Sequence, residues 1–309
     1  MRKHRLTLIF LIFSMLAANN VQAADKVKVT ASFYPLAHFA SQVCGDYADV
    51  VNITPPGVEP HDFEPSPKDL KNVWQSTILI FNDESMNPWA ERIHKELEKK
   101  GITVIEMAKQ LDFLKPSHNE AAEEHEDEHE HHHGMYDPHF WLDPVMAQKA
   151  VDIIKNALIS ADPKNKQTYE NNSAAYIAKL VELDKQFSDG LKECKSRNII
   201  VSHDAFNYLA KRYNLTVHSI SGISPEDEPS PRKLSELTKL IGELKIRYVF
   251  FETLVNPKFA NTLASETGVK TLVLDTIEGL TQNQLISGDT YLSVMNKNLT
   301  NLRTALECK

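Results

Sequence analysis

Residues 162–194 read DPKNKQTYENNSAAYIAKLVELDKQFSDGLKEC, with no proline after Pro163. Tyr169, Tyr176, Leu180, Leu183, Phe187 and Leu191 recur at helical intervals, so one face of the segment is apolar. Asp162 suits an N-cap and Pro163 the first helical position. A single helix of about 30 residues would run roughly 45 Å at 1.5 Å per residue, long enough to cross two domains as a stiff spine. A flexible hinge would be rich in Gly and Ser, whereas the whole chain holds ten Gly. Domain motion is therefore expected to be small.

The same pattern lies on both sides of this spine. Before it, short β-branched or aromatic runs occur at Val27 to Phe33, Val50 to Ile53, Ile78 to Phe81 and Ile102 to Ile105. After it come Ile199 to Ser202, Val217 to Ile220, Tyr248 to Phe251 and Thr271 to Leu274, alternating with helical segments such as Pro231 to Leu244 and Pro257 to Thr267. Alternating strand and helix imply right-handed crossovers and a mostly parallel sheet with helices on its faces. The expected class is α/β: two lobes, each with a four-stranded mostly parallel sheet flanked by helices, joined by a long rigid helix. The lobes are placed at 24–161 and 195–309, with the spine at 162–194.

Residues 1–23 carry Arg2, Lys3 and Arg5, an apolar run from Leu6 to Ala18, and Val21-Gln22-Ala23 as a small-x-small cleavage site. That reads as a secretory signal peptide. The run, about 13 residues, is short for a spanning helix of roughly 20. No Cys follows it before Cys44, which argues against a lipid anchor and for a soluble periplasmic protein. Of three Cys in an exported chain, Cys194 and Cys308 both fall in the second half and are the preferred disulfide pair. Cys44 is left as a small buried hydrophobe.

Removing the leader takes the formal net charge from -8 to -11, and the seven acids between Glu120 and Glu130 supply all but about -4 of it. The acidity is local. It argues against nucleic acid and for an appendage that attracts cations. This appendage, the loop 117–136, contains SHNEAAEEHEDEHEHHHG, with His118, His125, His129, His131, His132 and His133. Six His among carboxylates make a weak, exchanging secondary metal site. His125 to His129 matches the HExxH pattern of zinc hydrolases, but the neighbours offer no apolar face to dock such a helix, so the match is accidental.

In open α/β sheets, ligands bind beyond the carboxyl ends of the strands. Applied as a filter, this rule selects His203 after Ile199 to Ser202, and Asp275 after Thr271 to Leu274. It also selects His61, in the loop TPPGVEPHDFEPSP, and His139, in YDPHFWLDP. A lone His near a strand end is more often an ordinary hydrogen-bonded residue, but four candidates at sheet ends reverse that. Three imidazoles and a carboxylate form a four-coordinate set that suits Zn²⁺. His38, His94 and His218 meet no such rule. Glu64, Glu252 and Glu226 to Glu228 are candidates for outer or surface carboxylates, and Phe140 and Trp141 for orienting His139 and excluding water.

PPGVEPHDFEPSPKDL, DPHFWLDP, IIVSHDAFNYLAKRY, ISPEDEPSPRKLSELT and FFETLVNPKFANTLASETGVKTLVLDTIEGL together resemble the cluster A-I solute-binding proteins of bacterial ABC importers for zinc and manganese, specifically the zinc-uptake type. The resemblance implies two lobes on a rigid helix. It also implies a metal held between them by His61, His139, His203 and Asp275, and a monomeric receptor whose partner is a membrane permease. His203, where manganese members resemble a pattern with Glu, favours zinc. Thr276 departs from the Pro frequent after the acid. Competing readings are a secreted zinc buffer or metal-dependent adhesin and, less well supported, a zinc hydrolase, which would need an open coordination position.

Overall fold

The computed structural model describes residues 26–115 and 136–309. The leader and the histidines from His118 to His133 lie outside the described residues. Strands β1 (Val27–Ala31), β2 (Ala48–Asn52), β3 (Ile78–Phe81) and β4 (Thr103–Glu106) form one parallel sheet in the order β2-β1-β3-β4. Strands β5 (Asn198–Val201), β6 (Thr216–Ser219), β7 (Tyr248–Phe251) and β8 (Lys270–Val273) repeat it as β6-β5-β7-β8. The expected eight strands are present, some displaced by one or two residues. β1 stops at Ala31 because Phe33 already caps the helix Tyr34–Cys44, with Pro35 in its first turn.

Each sheet is covered on both faces, which is why its inner strands read as unbroken apolar runs. Ile78 to Phe81 are all buried. On the outer face of the first sheet lie Val73, Trp89 and Leu97 from its flanking helices, and on that of the second lie Leu237, Ile241 and Leu263. The inner faces share one continuous core that runs from Phe39 through Trp141, Ile154 and Tyr176 to Tyr291 and Leu302. Two lobes that share a core cannot separate without exposing it, so the joint is stiff.

The spine is the helix Lys166–Gly190, 25 residues or about 37 Å, with Tyr169, Tyr176, Leu180, Leu183 and Phe187 buried as the periodicity requires. It begins later than expected. Pro163–Asn165 form a 3-10 turn, and the Asp162 carboxylate accepts from Tyr169 Oη at 2.8 Å and Asn165 Nδ2 at 2.6 Å instead of capping backbone N–H groups. Just past the spine, Cys194 is joined by a disulfide to Cys308, closing 114 residues of chain. Cys44 is a buried free thiol.

Candidate metal centre

Four loops at the carboxyl ends of the strands meet between the sheets. The loop after β2 carries His61, and Gly57 in it (φ +80°) donates its N–H to Leu280 O of the second lobe at 3.0 Å. His139 precedes the 3-10 turn Phe140–Leu142, whose position is fixed by Asp143 capping the helix Pro144–Ala161. His203 leaves β5 directly. The loop after β8 supplies Glu278, and beside it a side chain at Gly279 would press on Leu254, 3.3 Å from where its Cβ would lie.

The ligand-capable atoms of His61, His139, His203 and Glu278 all lie within 4.8 Å of one another. His139 Nε2 is 3.3 Å from both His61 Nε2 and His203 Nε2, and Glu278 Oε1 is 3.1 to 3.5 Å from the three nitrogens. A regular tetrahedron with Zn–N bonds of 2.0–2.1 Å has edges of about 3.3 Å. Both Glu278 oxygens are buried without an aligned hydrogen-bond donor, although the distances satisfy ion pairing. Such orphaned buried oxygens are costly unless a cation meets them.

Two of the imidazoles are oriented from behind. His139 Nδ1 is 2.8 Å from Asp137 Oδ1, and His203 Nδ1 is 2.9 Å from Glu252 Oε1, which selects Nε2 as the metal-facing nitrogen in both rings. Glu252 thus backs His203. Burial alone would lower the His139 pKa, but the carboxylates of Asp137 and Glu278 beside it push it up to about 9. His203 is likewise raised well above its ordinary value, burial being outweighed by Glu252 and Glu278. Burial would raise Glu278, yet the three imidazoles hold it well below the usual carboxylate range. Burial, then the Glu278 charge, pushes Glu59 up to about 10.

Asp275, which the strand-end rule selects as fourth ligand, does not join the cluster. Its Oδ2 accepts from Thr253 Oγ1 at 2.8 Å and Gln284 Nε2 at 2.9 Å, and its Oδ1 accepts from Ile277 N at 2.8 Å. It is a scaffold for the loop that presents Glu278. That loop turns at Ile277, a buried β-branched residue at φ +59°. This conformation costs on the order of 1–3 kcal/mol and is held by the Asp275 bond. The rule took the first acid after the strand. The second acid in DTIEGL was the signal for Glu278.

The remaining candidates have ordinary partners. His38 Nε2 lies 3.0 Å from Tyr176 Oη and burial drops its pKa to about 4, His94 Nδ1 meets Glu91 O at 2.7 Å, and His218 Nε2 meets Asn198 Oδ1 at 2.9 Å. Glu64 pairs with Arg92 at the surface, and Glu226 to Glu228 are exposed. Trp141 is fully buried with its ring centroid 5.3 Å from that of His139, and its indole N–H donates to Thr276 O at 2.7 Å. Thr276 therefore contributes its backbone carbonyl, a group that a proline also carries.

A family model described as ZnuA, zinc-uptake complex component A periplasmic, matches residues 29–305. The chain is 39% identical over 292 residues to the zinc-binding lipoprotein AdcA of Streptococcus pneumoniae, covering 94% of this chain and 58% of that protein. It thus spans little more than half of that relative's length. It is 40% identical over 285 residues to the high-affinity zinc uptake system protein ZnuA of Bacillus subtilis, covering 92% and 89%. The crystal structure of the Zn(II)-bound ZnuA-like domain of S. pneumoniae AdcA superposes with a TM-score of 0.77 at 37% identity, over 92% of this chain and 100% of that one.

Proposed function

The chain belongs to the ZnuA family of periplasmic zinc-uptake components, and on that premise we propose that it captures Zn²⁺ between its lobes and delivers it to the membrane permease of an ABC-type importer. The observation that carries this reading is the set of four converging atoms, three Nε2 and one carboxylate oxygen, all within 4.8 Å of one another and with their closest pairs at the spacing of a zinc tetrahedron. The ligands in this reading are His61, His139, His203 and Glu278. Imidazole-rich N3O donors favour zinc over manganese, which prefers oxygen. Because four protein atoms complete the tetrahedron, no position stays open for a reacting water, as a catalytic zinc requires. The protein is therefore read as a carrier rather than an enzyme. The signal-like leader and the periplasmic description of the family support delivery from outside the cytoplasm.

The test is zinc titration of the purified protein against a competing chelator. One tight site per chain is expected, and His139→Ala should weaken it at least 100-fold, the upper part of what losing a group that sustains a metal site costs. Undiminished affinity in His139→Ala would remove the ligand assignment.

A further inference from the structure

His139 and His203 both present Nδ1 to a buried carboxylate, but those carboxylates are held differently. Glu252 belongs to the same lobe as His203. Asp137 belongs to the first lobe with His139, and its Oδ2 accepts from Nδ2 of Asn207, at 3.0 Å, in the second lobe. Asn207 opens the helix Asn207–Tyr213, four residues after His203, and its amide is preset by Asp204 Oδ1 at 3.0 Å.

The next residue, Tyr208, is buried with its hydroxyl between Leu114 and Asp137. It accepts the Leu114 N–H at 2.7 Å and donates to the Asp137 carbonyl at 2.7 Å, while Asp137 N–H donates to Leu114 O at 2.8 Å. Both backbone groups of Asp137 and one carboxylate oxygen are thus committed. Only Oδ1 remains, and it accepts His139 N–H at 3.0 Å and faces His139 Nδ1 at 2.8 Å. A carboxylate with one rotamer gives the imidazole one plane. Released from Asn207 and Tyr208, it would give several.

We propose that Asn207 and Tyr208 are positioning residues for His139, acting through Asp137. The short segment from His203 to Tyr208 of the second lobe then governs two ligands, His203 by contributing it and His139 by orienting it from across the cleft. This inference rests on His139 being a zinc ligand. Packing alone does not account for it, because phenylalanine at 208 would keep the ring contact with Phe113, centroids 6.3 Å apart, and lose both hydroxyl bonds.

The test compares Tyr208→Phe and Asn207→Ala with Tyr213→Phe in the full chain. Tyr213 lies on the same helix and donates to Asp184 Oδ1 at 2.9 Å, so its variant removes a hydroxyl bond of similar burial without touching Asp137. Each test variant should weaken zinc binding roughly threefold to tenfold, less than the 10- to 100-fold typical when a ligand's direct partner is removed. Each should also alter the d–d absorption of bound Co²⁺, which reports ligand geometry. Tyr213→Phe should lower the melting temperature comparably and leave affinity and spectrum alone. Wild-type affinity and spectrum in both test variants would overturn the proposal, as would losses no larger than that of Tyr213→Phe. If Tyr208→Phe does not fold, Asn207→Ala decides alone. His139→Ala in the same series separates the two readings: if it abolishes tight binding while Asn207 and Tyr208 prove neutral, only the positioning inference fails.

Discussion

Asp275 and Glu278 are three residues apart on one loop and do opposite work, one satisfied by three hydrogen bonds and the other facing three imidazole nitrogens. Glu278→Gln should therefore lower zinc affinity by about two orders of magnitude or more, the loss of a charged ligand from a buried site. Asp275→Asn keeps an acceptor for Ile277 and should cost no more than about tenfold, the lower edge for an outer partner. The reverse ranking in chelator competition would restore Asp275 as the ligand. The imidazoles set the pH dependence. In the metal-free protein His139 is pushed up to about 9 and His203 is raised well above its ordinary value, whereas zinc binds only the neutral rings. At pH 7 protons must leave before the metal binds, so affinity should rise with pH through neutrality and toward the His139 value of about 9. Calorimetry in two buffers of different ionisation enthalpy should show proton release on zinc binding at pH 7. Identical heats in the two buffers would contradict this.

At the scale of elements, the spine helix packs into the core shared by both lobes and the disulfide that follows it ties its end to the C-terminal segment of the second lobe. Leu180, fully buried on the spine, contributes to the shared core, and Leu180→Ala should cost about 2–5 kcal/mol of stability. Zinc affinity of the folded variant should stay at the wild-type value, as a denaturant series with and without zinc would show. A selective loss of affinity would mean that the spine tunes the site. The Cys194–Cys308 bond closes 114 residues, which in the chain-entropy account contributes about 4–5 kcal/mol. The periodicity of the spine was legible because one helix face meets one core. Its start was not, because Asp162 prefers Tyr169 and Asn165 as partners, a choice that depends on where the side chains pack.

Across the whole molecule, the cluster draws one converging side chain from each of four strand-end loops, two per lobe, while Leu114 and Asp137 pair at the two ends of the described chain that flank the His-rich run. Deleting residues 118 to 133 should leave the tight site intact and remove only weak additional binding, measured as zinc bound per chain. A zinc buffer whose capacity resides in that run would instead lose nearly all of it. The alternation of apolar runs along the chain by itself determined the two parallel sheets, the spine between them and three of the four converging residues, because strand ends and their loops follow from local pattern. Only the tertiary structure decided the fourth, since whether Asp275 or Glu278 faces the cleft depends on the left-handed turn at Ile277 and on Thr253 and Gln284 claiming the nearer acid. It alone also decided that Asp137, Asn207 and Tyr208 meet behind His139, a junction of residues up to 71 positions apart that no local pattern encodes.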